Sequence, residues 1–245
     1  MEKRLLLISN STNYGERYLD WPRPYISDFL NKTGIKKVLF IPYAGVALSE
    51  DGVEASYEIY EERVNEVFME LGFEVYSIHR EKDPVQSLRD ALAIAVGGGN
   101  TFHLIYMLHK LRLMKHISEL VGKGIPYMGW SAGANIACPT MMTTNDMPIV
   151  EPDSFNCLNL VPFQINPHYL DANPEGHGGE TREQRLEEFM VINNNVNVVG
   201  LREGTLLRVK GDSMELLGER PMRWFKNGKS PKEYQPGDDI NFLLK

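Results

Sequence analysis

Short apolar runs alternate with stretches of helical period through the first half of the chain, and this alternation restricts the fold more than any other feature. Leu5–Ser9 is apolar and ends in Asn10-Ser11-Thr12, a buried strand running into a polar loop. Val38–Ile41 is a second run, closed by Pro42. Tyr60, Val64, Val67, Phe68 and Leu71 then recur at helical spacing, and Gly72 stands where a helix takes its C′ residue. Glu74–Ile78 reads as a strand. Asp83-Pro84 offers an N-cap oxygen and an N1 proline to a helix striped by Val85, Leu88 and Leu92. Ala93–Val96 is the next strand, with Gly97-Gly98-Gly99 as the turn after it. Helical patterns follow from Thr101 to about Leu113 and over His116–Val121, then a strand at Ile125–Met128. The expectation is one open sheet of parallel strands covered by helices, with ligands beyond the carboxyl ends of the strands.

From about residue 204 the texture changes. Thr205–Val209 and Ser213–Leu217 flank Lys210-Gly211-Asp212 as a hairpin, and Trp224-Phe225 with Asn227-Gly228 suggests another. No repeat, linker or low-complexity segment divides the chain, so residues 1–245 are expected to form a single α/β domain with a β-rich end. Composition serves mainly to exclude. Apolar residues at 42% and charged residues at 24% rule out wholesale disorder. A net charge of −7 argues against a protein that coats nucleic acid, which needs a basic face. No apolar run is long enough to span a bilayer, and the run after Met1-Glu2-Lys3-Arg4 is too short for a signal peptide. With only Cys138 and Cys157, and no disulfide framework, the expected setting is the reducing cytoplasm.

The sharpest local feature is Gly129-Trp130-Ser131-Ala132-Gly133, directly after a predicted strand. A nucleophile elbow turns so tightly that it needs small neighbours, and it leaves its serine exposed above the sheet edge. Ser131 is therefore a candidate nucleophile, and a serine needs a base. Among six histidines, His103, His109 and His116 fall on helical stretches, His79 ends a strand, and His177 sits between two glycines in a loop. His168, in Gln164-Ile165-Asn166-Pro167-His168, follows an apolar run beside a proline-fixed turn and is the best placed. The base in turn needs an orienting carboxylate. Asp146 and Glu203 both occupy turn-like sequence at strand ends, and pattern alone does not choose between them. Gly97-Gly98-Gly99 lacks the spacing of a dinucleotide fingerprint and the lysine of a P-loop, but its N–H groups suit a developing oxyanion. Thr181-Arg182-Glu183-Gln184 is a capping box that leaves Arg182 without a structural reason on the first helical turn.

Taken together these segments resemble the S51 serine peptidases, a family of aspartyl dipeptidases. The matching stretches are Leu5–Thr12, Phe40–Val46, Val96–Phe102, Gly129–Asn135, Thr143–Val150, Gln164–His168, Pro174–Arg185 and Gly200–Gly204, in order along nearly the whole chain. The resemblance implies a flavodoxin-like, doubly wound, mostly parallel sheet akin to class I glutamine amidotransferases, with serine in place of their cysteine. It implies cleavage of dipeptides with an N-terminal L-aspartate, no metal, and a cytoplasmic setting; no cofactor is expected, and the chain is expected to act as a monomer or homodimer on a small dipeptide substrate. Ser131 matches the nucleophile and His168 the base. Asp146 and Glu203 both fall on positions proposed for the third member, and Glu203 is preferred because it ends a sheet segment near the elbow. The expected oxyanion donors are the N–H groups of Ala132 and Gly99, and Arg182 is the expected partner of the substrate aspartate. The rival readings are a cyanophycinase-like hydrolase on the same fold and a non-catalytic phosphate- or nucleotide-binding module built on the glycine turn.

Overall fold

In the computed structural model, which describes residues 2–31, 34–173, 176 and 178–245, the leucine run near the amino end becomes β1 (Arg4–Ile8). There follow α1 (Arg23–Asn31), β2 (Lys37–Ile41), α2 (Val53–Glu70), β3 (Glu74–Ser77), α3 (Pro84–Arg89), β4 (Ile94–Val96), α4 (Thr101–Lys110), α5 (Leu113–Gly122) and β5 (Tyr127–Trp130). Two of the expected helix signals act as the sequence suggests. The Asp83 side chain accepts the Gln86 N–H at the start of α3, and Gly72 follows α2 with φ 84°.

Side chains alternate across the strands, and this period of two makes both faces of the sheet apolar. Leu5, Leu7, Leu39, Ile41, Ile94, Val96 and Tyr127 face one core with Leu88, Leu104, Leu108, Leu113 and Ile117 of α3, α4 and α5. Leu6, Ile8, Val38, Phe40, Ala95, Met128 and Trp130 face the other, with Ile26, Phe29 and Leu30 of α1 and Val64, Val67 and Phe68 of α2. Burying each such side chain stabilises the fold by about 1.5–3 kcal/mol relative to exposure. The helices therefore lie on both faces, as a doubly wound sheet requires.

Beyond β5 come α6 (Ala132–Asn135), β6 (Gln164–Pro167), α7 (Arg182–Ile192), β7 (Asn197–Leu201), β8 (Thr205–Lys210), β9 (Ser213–Gly218), β10 (Met222–Lys226) and β11 (Lys229–Tyr234). The chain does not form the single sheet expected from its pattern. The main sheet has the order β3-β2-β4-β5-β1-β8-β9, with its first five strands parallel and the β8–β9 hairpin added antiparallel. A second sheet has the order β11-β10-β7-β6. The cause is the hairpin itself: β8 occupies the free edge of β1 along all five residues, so β6 and β7 pair with one another and with β10 instead. Helix α7 covers this smaller sheet through Leu186 and Met190, against Tyr169, Val198 and Phe225.

Candidate active site

Ser131 joins β5 to α6 at φ 54° and ψ −110°, a backbone that non-glycine residues adopt only when their surroundings impose it. Two glycines make the turn possible. A Cβ on Gly129 would lie 2.3 Å from the Gly133 carbonyl oxygen, and a Cβ on Gly133 would lie 2.2 Å from that of Val96. The Ser131 N–H donates to the Ile8 carbonyl at 3.0 Å, and the Ser131 carbonyl accepts the Asn135 N–H at 2.9 Å to open α6. The serine thus stands at the carboxyl edge of the main sheet, between β1 and β4.

His168 arrives from the smaller sheet, one residue beyond β6, and it too has a positive φ of 51°. Its N–H donates to Ser9 Oγ at 3.0 Å, and Ser9 Oγ–H donates to the Leu201 carbonyl at 2.7 Å. One hydroxyl therefore ties the end of β1 to the ends of β6 and β7. His168 Nε2 lies 2.9 Å from Ser131 Oγ, and His168 Nδ1 lies 2.7 Å from Glu203 Oε1. A carboxylate only accepts, so Nδ1 carries the proton and Nε2 is left to accept from the serine hydroxyl. Glu203 follows β7 in a turn whose next residue, Gly204, has φ 78° and donates its N–H to Asn10 Oδ1 at 2.8 Å.

Of the two carboxylates, then, the structure sets Glu203 against the imidazole. Asp146 instead accepts from the N–H of Thr101 at 2.7 Å, from the Thr101 hydroxyl, and from Thr144 Oγ1 at 3.1 Å, all through Oδ2. A carboxylate at the first turn of α4 is favoured by the exposed N–H groups there. Gly98 abuts Ser131, since a Cβ on it would lie 2.8 Å from Ser131 Cβ. Gly99 has φ 130° and presses against the Ala44 carbonyl, which a Cβ would approach to 2.2 Å. The glycine turn is therefore filled by Ala44 and Ser131. Among the described residues the N–H groups of Gly99 and Ala132 donate to no protein acceptor.

Arg182 opens α7 behind Thr181, whose hydroxyl accepts the Gln184 N–H while Gln184 Oε1 accepts the Thr181 N–H. Its guanidinium donates to Asn145 Oδ1, next to Asp146, and it has no carboxylate partner among the described residues. It does not line the cavity in front of Ser131. Burial lowers its pKa, and Arg185 lowers it further. His79, His103 and His109 are engaged by Ser77, Tyr43 and Asn156. His116 lies on α5, and His177, with Pro174 and Glu175 of the matched motif, lies outside the described residues.

Several contributors gave no sequence signal of a place at the site. Ser9 read as the end of a strand and Asn10 as part of the polar loop after it. Tyr60, on α2, donates its hydroxyl to the Gly98 carbonyl at 2.9 Å and accepts Trp130 Nε1–H at 3.0 Å. Tyr18 lies 3.4 Å from Tyr60, hydroxyl to hydroxyl. In front of these groups a cavity of about 500 Å³ is lined by Ser131, His168, Asp146, Gly99, Leu48 and Arg63, among others. A second cavity, about 540 Å³, opens at the amino end of β1 among Arg4, Asp28 and Arg208, away from Ser131 and His168. Among the described residues no three His, Cys, Asp or Glu side chains stand together as a metal site, and no helix is long and apolar enough to cross a membrane.

Comparison with known proteins adds an independent line. The model of peptidase family S51 matches residues 5–217. A protein named peptidase E from a Nostoc species is 50% identical over 244 residues, covering 100% of this chain and 98% of its own. A Drosophila melanogaster protein named "Probable alpha-aspartyl dipeptidase" is 44% identical, covering 99% of this chain and 98% of its own. The crystal structure of a peptidase from an acI-B1 actinobacterium superposes with a TM-score of 0.70 over 97% of this chain and 96% of its own, at 20% identity.

Proposed function

The chain belongs to peptidase family S51, and on that premise we propose that it is a serine-type dipeptidase that removes an N-terminal L-aspartate through an acyl-enzyme. The observation that carries the reading is the unbroken line from Ser131 Oγ through the two nitrogens of His168 to Glu203, at 2.9 and 2.7 Å. His168 takes the hydroxyl proton as Ser131 attacks the aspartyl carbonyl. Glu203 fixes the imidazole tautomer and stabilises the imidazolium that forms. The oxyanion is met by the N–H groups of Ala132 and Gly99, both free of protein acceptors among the described residues, at a site that needs no reorganisation when charge develops. His168 then gives its proton to the leaving amine, and water, activated by the same imidazole, releases aspartate.

Recognition of the aspartyl residue is divided between two groups. Asp146 binds the α-ammonium of the substrate: it lines the cavity, and its Oδ2 is held by three donors while Oδ1 receives none among the described residues. Arg182 binds the side-chain carboxylate. Its half-buried guanidinium is anchored by Asn145 and lacks an anion, which a planar fork is suited to grip. Reaching the substrate requires that the Arg182 side chain swing from Asn145 toward the cavity. The protein then works on small dipeptides in the cytoplasm, needing no cofactor.

The test is hydrolysis of Asp-Leu, Asn-Leu and Glu-Leu by wild type and Ser131→Ala. Wild type cleaves Asp-Leu in preference to the other two, and Ser131→Ala, folded by circular dichroism, loses several orders of magnitude. Cleavage of Asn-Leu as fast as Asp-Leu overturns the aspartyl specificity. A folded Ser131→Ala retaining a tenth of the activity overturns the covalent mechanism.

A further inference from the structure

A dipeptide differs from a longer peptide by the carboxylate that ends its second residue, and nothing in the triad, the oxyanion donors or the aspartate pocket reads that group. Resting on the dipeptidase reading above, we propose that Arg63 binds the C-terminal carboxylate of the substrate and so sets the enzyme's preference for dipeptides.

Arg63 lies on α2, on the wall of the cavity that contains Ser131 and His168, and among the described residues lining that cavity it is the only lysine or arginine. Although Glu62 and Glu66 are its neighbours along the helix, it forms no ion pair among the described residues. Its guanidinium is instead held 5.6 Å from the centre of the Tyr18 ring. That ring is no loose support. The Tyr18 hydroxyl meets Tyr60, Tyr60 is fixed by Trp130 Nε1–H and by the Gly98 carbonyl, and Gly98 abuts Ser131. A cation stacked on a ring that is locked to the oxyanion turn loses less freedom on meeting a ligand than a solvated side chain would.

The polarity of the cavity fixes which end of the substrate Arg63 meets. Asp146 is the one carboxylate and Arg63 the one guanidinium among the described residues of the lining, so with the α-ammonium at Asp146 and the scissile carbonyl at Ser131 the terminal carboxylate is left to Arg63. A third residue would replace the carboxylate by an amide and leave the guanidinium without its anion, a loss that discriminates against longer chains.

The experiment compares Asp-Leu with Asp-Leu amide, which lacks only the terminal charge, for wild type, Arg63→Ala and Arg63→Lys. Wild type has the higher kcat/KM for the free acid, with the difference in KM. Arg63 is exposed, so its pair with a carboxylate is worth no more than a modest factor. Arg63→Ala reduces the acid-over-amide ratio by more than about twofold and up to about fivefold, through KM for Asp-Leu, and Arg63→Lys restores part of it. An acid-over-amide ratio that stays within about twofold of wild type in Arg63→Ala overturns the proposal, whether both substrates slow together or neither changes. Wild type that cleaves neither substrate overturns the dipeptidase reading, and this proposal falls with it.

Discussion

At the scale of single residues, two carboxylates that look alike in sequence have different surroundings. Glu203 faces the imidazole, while Asp146 is spent on the first turn of α4 through one oxygen and lines the cavity. Glu203→Gln therefore lowers kcat on the order of 10²–10⁴, because an amide no longer fixes the tautomer that leaves Nε2 free to accept. Asp146→Asn keeps an oxygen for Thr101 and loses the charge that meets the α-ammonium, so its effect falls on KM. Steady-state kinetics of the two variants on Asp-Leu decide the matter, and an unchanged kcat in Glu203→Gln removes it from the triad. Ser131 and His168 were legible because each sits in a short motif whose small or proline neighbours exist to bend the chain. Among the described non-glycine residues only five have positive φ, and these two are among them. The bare pattern left the choice of carboxylate open, and the preference for Glu203 came from its place at the end of a sheet segment, which in the structure is β7 of the smaller sheet. Tyr60 and Arg63 were invisible for a related reason: on a helix of ordinary period, nothing in the spacing says that two positions border a cavity.

At the scale of elements, the parallel strands and the helices α2 to α5 could be read because apolar period and caps agree there. Helix α1 could not, since Ile26, Phe29 and Leu30 are its only buried residues in a nine-residue span. The second sheet was equally hidden, because a strand's sequence shows that it is buried but not which neighbour it pairs with. The elbow is the element on which the chemistry depends most directly. Its two glycines are needed for closeness rather than for freedom of φ, as neither has a positive value. In Gly133→Ala the new methyl would meet a backbone carbonyl of β4, which cannot move aside as a flexible side-chain tip could. The expected cost is at least about 2 kcal/mol of stability, together with a displaced Ser131. Urea denaturation checks the first and kcat on Asp-Leu the second. A variant as stable and as active as wild type would show that the turn has slack the backbone geometry does not reveal.

At the scale of the molecule, Ser131 and His168, the proposed nucleophile and base, come from different sheets, so their 2.9 Å contact depends on how those sheets are held together. Ser9 makes one link. Arg202, beside Glu203 and 9% exposed, organises the smaller sheet's side of it. Its Nε donates to Asp171 at 2.9 Å, and its Nη1 donates to Glu233 and to the Pro221 carbonyl, each at 2.7 Å, so it gathers the segment after His168, the start of β10 and β11 around the end of β7. These hydrogen bonds hold the carboxyls of Asp171 and Glu233 below their ordinary values of 3.8 and 4.5. A carboxyl whose pKa is depressed by folding contributes stability that is complete above its unfolded value and is lost as pH falls through its folded one. Arg202→Ala should therefore cost about 1–3 kcal/mol at neutral pH, less than a fully buried pair because Asp171 is well exposed. The gap between wild type and variant should be constant above about pH 5 and should close as the pH is taken below the two depressed values. Urea unfolding of both proteins from pH 7 to pH 3 tests this. Because Glu203 is the next residue, kcat should fall in the variant at a pH where it is still fully folded. A gap that persists unchanged into acid would mean that Arg202 acts by packing against Tyr169, whose ring centre lies 5.5 Å from its guanidinium, and not through its ion pairs.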